Sequence, residues 1–178
     1  MMRPLSKIRD LLRGESGAAT VSFVLVVPVF FFIFVNAFEI HVHSIRQVMV
    51  DRAVDLAARD VRIGYLTNPT HDDLTAQVCK YARLIENCER DIRLDMTVVD
   101  PRNLTLPTDA TPCRDRAEEN PPEITLANGE NNKLMLLRVC ILFDPAFNYA
   151  GVGRKILIAD TEYYAMQAAT AYVMEPFK

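Results

Sequence analysis

Residues 17–38 read GAATVSFVLVVPVFFFIFVNAF. The stretch is 22 residues long, carries no charge and is dense in Val and Phe. A helix rises ~1.5 Å per residue, so this run reaches ~33 Å as a helix, enough to cross a hydrocarbon core of ~30 Å. The chain divides around it. A short basic segment precedes it, and about 140 residues follow, enough for one hydrophobic core.

The flanks predict an orientation. Residues 1–17 carry Arg3, Lys7, Arg9 and Arg13 against Asp10 and Glu15, a balance of +2. The whole chain has a formal charge of −3, which leaves −5 for the remainder. Basic residues beside a span stay in the cytoplasm, so the N-terminus is expected there and the large domain on the opposite side. The overall charge gives no electrostatic footprint for nucleic acid. A secretory signal has a shorter apolar core of ~7–15 residues and a small-residue cleavage site after it. Here the run is longer, and Glu39-Ile40-His41-Val42-His43-Ser44 follows it. Cleavage on the far side is not expected.

Polarity rises at Glu39, but the helical pattern continues. Ile45, Val48, Met49, Ala53, Leu56, Ala57 and Val61 recur at helical spacing. Arg46, Asp51, Arg52, Asp55, Arg59 and Arg62 fall outside that stripe. Gly64 is a stop signal with Pro69 beyond it. The spacing predicts one helix over 18–63, with its first half in lipid and its second half packed on a domain. His41, His43 and Glu39 are expected as polar residues at the headgroup level, with Glu39 on a solvated helix edge.

Beyond the helix, Thr70 and Asp73 frame a capping box, and Leu74, Val78, Tyr81, Ala82, Ile85 and Cys88 share one face. This predicts a second helix over 72–87. In IRLDMTVV at 92–99, Ile92, Leu94, Met96 and Val98 alternate with Arg93, Asp95 and Thr97, which predicts a half-buried strand. Five prolines interrupt residues 101–132, a loop long enough to be a candidate partner-binding surface. KLMLLRVCILF at 133–143 is apolar on both faces apart from Arg138, so it is expected as a central strand. Residues 149–153 read as a loop. Their GxG lacks the GxGxxG frame of a nucleotide site. Residues 161–173 mix alanines suited to a helix with Tyr163, Tyr164, Thr170, Tyr172 and Val173 suited to a strand.

Four cysteines, Cys79, Cys88, Cys113 and Cys140, lie after the span. An even count on the exported side predicts two disulfides, with three pairings open. Cys79–Cys88 with Cys113–Cys140 is favoured: the first ties a helix to its exit, the second pins the long loop to a strand. A zinc site is disfavoured by the lack of a CxxC pair or a nearby histidine set. No GxSxG, HExxH or paired-carboxylate frame appears, so neither an enzyme nor a cofactor is expected.

The placement of Glu15-Ser16-Gly17-Ala18-Ala19 before the apolar run resembles the leader of type IV pilin-like proteins. More closely, GAATVSFVLVVPVFFF resembles the N-terminus of TadE/TadF-type minor pseudopilins of the tight-adherence (Flp) pilus, with TadE-like favoured and TadF-like left open. The resemblance implies that a prepilin peptidase cuts between Gly17 and Ala18 and that Phe23 is the family's aromatic at the sixth mature position. Pro28 matches a proline common in such helices. One position departs: the fifth mature residue is Ser22 where the family carries Glu, which removes both a costly carboxylate in lipid and its pairing with a neighbour's terminal amine. The tail Met174-Glu175-Pro176-Phe177 resembles the family's Glu-Pro ending after a last strand, and on that ground 161–173 is assigned as strand.

The implied fold is α+β: a long transmembrane and amphipathic helix, pilin-like, on a small antiparallel sheet with a second short helix. The implied organisation is a cleaved cytoplasmic leader (1–17), a transmembrane helix (18–38), its periplasmic continuation (39–64) and a small periplasmic domain (65–178). The implied function is pilus assembly from the bacterial inner membrane. Partners would be inner-membrane lipid, prepilin peptidase, pilin and other pseudopilin subunits, and the pilus assembly machinery. Phe30, Phe31, Phe32 and Phe34 would give lateral helix contacts. The alternative is an uncleaved, single-pass anchor carrying a binding module.

Overall fold

The computed structural model describes residues 17–83, 85–103, 113–118, 126–127, 132–149, 151–158 and 161–175. Residues 1–16 of the leader, most of the 101–132 loop and Pro176 of the Glu-Pro tail lie outside the described residues.

One helix, α1, runs unbroken over Ala18–Arg62 and passes through Pro28. Its 45 residues give a rod of ~68 Å at ~1.5 Å per residue. Arg59 and Arg62 occupy its last turn, where cations suit the carbonyl end of the helix. Gly64 then takes a φ of +77°, a conformation glycine reaches without strain, and its N–H bonds the Val61 carbonyl. Helix α2 (His71–Tyr81) starts on the expected capping box. Thr70 Oγ1 accepts from the Asp73 N–H, and the Asp73 carboxylate accepts from the Thr70 N–H. The side-chain and backbone bonds of Thr70 hold the Asp73 carboxyl below its usual range.

The predicted 72–87 helix ends early. The chain leaves α2 at Ala82, Asn87 turns left-handed at φ 53°, and a short helix, α3 (Cys88–Asp91), follows. The cause is the disulfide between Cys79 and Cys88, whose Cα atoms lie 5.7 Å apart. Nine residues of continuous helix would separate them by ~13 Å, beyond a disulfide's reach.

Three strands form one antiparallel sheet in the order β1 (Ile92–Val99), β2 (Leu134–Phe143), β3 (Tyr164–Val173). β2 is central, as its two-sided apolarity predicts. One face carries Leu94, Met96, Leu137, Val139, Tyr164 and Met166 into the core against α1 and α2. Cys140 and Leu142, on the opposite face of β2, are buried as well. There the Cys113–Cys140 disulfide draws residues 113–118 toward the sheet, with Cα atoms 5.2 Å apart. Val98, expected inward, is 46% exposed near the end of β1. Gly151, Val152 and Gly153, expected as part of a 149–153 loop, instead open a short helix, α4 (Gly151–Lys155).

The α1 stripe is rotated from its expected position. Val50, Ala53, Val54, Ala57, Ala58 and Val61 are buried, whereas Ile45 and Val48 are 45% and 66% exposed. The helix is apolar over more than one face. The face used is decided by α2 and β3, elements that lie far along the chain. Between α1 and α2, the Asp60 carboxylate accepts from Tyr81 and Gln77. That bond to Asp60 is the main reason the Tyr81 hydroxyl is pushed up.

Candidate functional site

Two surfaces follow from this fold: the exposed apolar half of α1 and a collar of backbone around its end. Among the described residues, none in the most hydrophobic 18-residue window of this half is buried, and α1 is long and apolar enough to cross a membrane. Phe23, Phe30, Phe31, Phe32 and Phe34 are each 57–65% exposed. Successive helical residues point ~100° apart, so Phe30 and Phe34 share a face while Phe31 and Phe32 point elsewhere. The four rings therefore clothe the helix on several sides. Phe30 and Phe31 meet edge to face, with centroids 6.1 Å apart. Ser22 and Pro28 are also exposed.

Gly17 is the residue before α1 and makes no side-chain cap. Its φ is −94°, and a Cβ built there meets nothing within 4 Å among the described residues. Neither backbone conformation nor space requires glycine at 17. Ala18 opens the helix.

The collar begins where the apolar run ends. Asn36 Oδ1 accepts from the Val152 N–H at 2.7 Å, and its Nδ2 donates back to the Phe32 carbonyl. Glu39 is 1% exposed, not on a solvated edge as its polarity and position suggest. Its carboxylate accepts from the N–H groups of Ala146 and Phe147, at 3.2 and 2.9 Å. A buried carboxylate without partners would cost several kcal/mol, so these two bonds are what allow it there. Phe38 meets the Phe147 ring edge-on, with centroids 5.9 Å apart.

Two glycines permit this close approach. Gly151 has a φ of +70°, and a Cβ there would strike the Asn36 carboxamide. A Cβ at Gly153 would strike the Phe147 carbonyl.

Contacts continue up the helix. His43 stacks on Tyr164, so it is not simply a headgroup-level residue, and Tyr164 stacks on Phe143. Arg46, expected on the solvent side, donates to the Asp144 carbonyl and the Tyr164 hydroxyl and lies over the Phe143 ring. Burial pushes the Tyr164 hydroxyl up, against the opposing effect of Arg46. Gln47 donates to the Gln167 carbonyl. The domain is thus fastened to α1 over about three turns, from Asn36 to Gln47.

A charged cluster closes the same end of the sheet. Arg116 forms a two-pronged bond to the Asp91 carboxylate, at 2.9 and 3.0 Å, and reaches Asp144 at 2.6 Å. Burial alone would raise the Asp91 carboxyl. The bonds from Arg116 and then Arg90 outweigh it and hold the group below its usual range. Among the described residues, no group of three or more His, Cys, Asp or Glu is placed to hold a metal ion.

The four cysteines pair as favoured from the sequence, Cys79 with Cys88 and Cys113 with Cys140. The latch made by Asn36 and Glu39 was not foreseen. Its only local signal is a lone carboxylate immediately after an apolar run. Its partners lie more than 100 residues away. Compared with protein-family models, curated proteins and solved structures, the chain matches none.

Proposed function

We propose that the chain is a TadE-like minor pseudopilin that takes part in assembling a tight-adherence pilus from the bacterial inner membrane. Its leader faces the cytoplasm and its sheet domain the periplasm. A prepilin peptidase removes the leader after Gly17. The mature helix then packs laterally with the helices of pilins or other pseudopilins, to initiate, cap or regulate a filament.

The observation that carries this reading is the continuity of α1. It begins directly after Gly17, stays exposed and apolar for a membrane's depth, and becomes the spine of a small sheet domain without a break. Such a rod transmits a contact made in lipid to the domain outside. The freedom of position 17 adds support. Where a fold makes no demand for glycine, a recognition event at that residue is an available reason for it. Helix association inside lipid has little hydrophobic driving force and rests on van der Waals fit, which bulky exposed Phe rings supply.

Intact mass and N-terminal sequencing of the membrane-extracted protein test the proposal. The expected mature chain starts at Ala18 in cells that contain the peptidase. Gly17→Ala is expected to block trimming while leaving the fold unchanged. An intact Met1 start with the peptidase present would refute the processing step and favour a permanently anchored binding module.

A further inference from the structure

We infer that residues 145–149 and 151–158 form a lipid-contacting foot, a second membrane attachment that seats the domain on the bilayer crossed by α1. The inference is independent of any pilus role and needs only the membrane span.

Height along α1 is the first argument. Residues 19–36 rise ~26 Å, close to the ~30 Å depth of a hydrocarbon core. Asn36 therefore lies near the outer boundary of the core, with Glu39 one turn beyond. The foot is fastened at this level. Val152 is held by Asn36, Ala146 and Phe147 by Glu39, and the Phe147 ring by Phe38. With Ala146, Phe147 and Val152 fixed to α1 near the boundary, the side chains of Phe147 and Tyr149 meet the headgroup layer.

The chemistry of those side chains is the second argument. Tyr149 is 86% exposed, the highest value among the large hydrophobic side chains of the described residues. Phe147 and Ile158 are 38% and 40% exposed. Arg154 and Lys155 close α4 and are exposed. Aromatic rings with a polar tip concentrate at membrane interfaces, and basic residues beside them suit anionic headgroups. The nearby Asp144 carboxylate is engaged by Arg116, and Glu162 is the exposed acid next to that cluster. The occupant of this surface is the phospholipid headgroup layer, continuous with the lipid around α1.

The chain contains no tryptophan, so one introduced tryptophan is a sole reporter. The full chain would be reconstituted in vesicles of mixed zwitterionic and anionic phospholipid, brominated either near the headgroup or near the chain end. Tyr149→Trp should be quenched by the shallow bromines more than by the deep ones. Phe32→Trp, in the span, should show the reverse. Val98→Trp, on an exposed position near the opposite end of the sheet, should be quenched by neither. Adding Arg154→Glu and Lys155→Glu to Tyr149→Trp should reduce its quenching, more so in anionic vesicles. Tyr149→Trp that is as unquenched as Val98→Trp, with Phe32→Trp quenched, overturns the foot. A blue-shifted but unquenched Tyr149→Trp would mean protein covers it, and overturns it too. An unquenched Phe32→Trp overturns the span on which the foot depends.

Discussion

Replacing Glu39 with alanine removes the acceptor for two backbone N–H groups and should open the collar without unfolding the sheet. Hydrogen bonds to a charged group contribute ~1.5–3 kcal/mol each. The Phe147 bond, at 2.9 Å, merits the full range. Ala146 is exposed, so water takes over part of its 3.2 Å bond. The gross loss is then roughly 3–4 kcal/mol. Removing the carboxylate also removes its desolvation penalty, which offsets part of that loss and leaves a net of about 2 kcal/mol. At ~1.4 kcal/mol per tenfold, the closed collar loses ~30-fold in its opening equilibrium. Hydrogen exchange on the full chain in micelles reads this directly. Protection of the Phe147 and Val152 amides should fall ~30-fold, while Val139, in the central strand, keeps its protection. Glu39→Gln keeps one acceptor oxygen but turns an NH2 toward the second N–H, so about half the effect is expected. Unchanged protection at Phe147 in Glu39→Ala would refute the latch. An equal fall at Val139 would show that Glu39 supports the whole domain rather than the collar.

Three further outcomes follow from the same structure. Among the described residues, Arg116→Ala leaves Asp91, whose side chain is 4% exposed, with the outlying Arg90 as its remaining cation, and should destabilise the domain by about 2–3 kcal/mol in urea unfolding at neutral pH. Because Asp91 has its folded pKa lowered, its contribution is complete above the unfolded value of ~4 and is lost as pH falls below it, so wild type and Arg116→Ala should converge in acid. Replacing both Cys113 and Cys140 with alanine, which frees a span of 27 residues, should cost about 3.5 kcal/mol by the chain-entropy estimate, against about 2.6 for Cys79 and Cys88 with their separation of 9, as read by thermal unfolding in micelles. Gly151→Ala should loosen α4, because it forces a non-glycine residue to φ +70° for about 1–2 kcal/mol and drives a Cβ into Asn36, whereas Gly17→Ala should leave unfolding unchanged.

Sequence periodicity located what is local. The predicted end of α1 differs from the observed one by a single residue, and β1 falls on its predicted residues. Both are long, strongly patterned segments in which neighbours carry the signal. The face that α1 buries was not legible in the same way. Ile45 and Val48 are as apolar as Val50 and Val54, and only the arrival of β3 and α2 chooses between them. The early end of α2 was hidden because its apolar spacing continues through Ile85. The covalent bridge at Cys79 overrides that spacing. For α4 the two glycines looked like loop residues. They serve to bring the backbone against Asn36 and the Phe147 carbonyl, a demand set by partners distant in sequence.

The fate of the carboxylates constrains how α1 meets other helices. No ionisable residue lies in residues 18–38, and under the proposed pilin-like reading Ser22 stands where that pattern would carry Glu. The first carboxylate along the helix, Glu39, is buried by the chain's own collar, so it is not available to a neighbour. Between Ala18 and Phe38 the helix therefore offers no charged side chain for pairing in lipid. Under the proposed function, association there would rest on shape, through Phe rings distributed around the helix, with polar contributions from Ser22 and Thr20 limited to hydroxyl bonds of modest strength. Selectivity of charge type must come from further along, where the collar and the exposed acids and bases of α1 beyond residue 50 stand outside the apolar run. A partner that recognises this chain by charge is then expected to engage the domain end, and one that recognises it by packing to engage the span. The unbroken helix would join two such contacts into one rigid element.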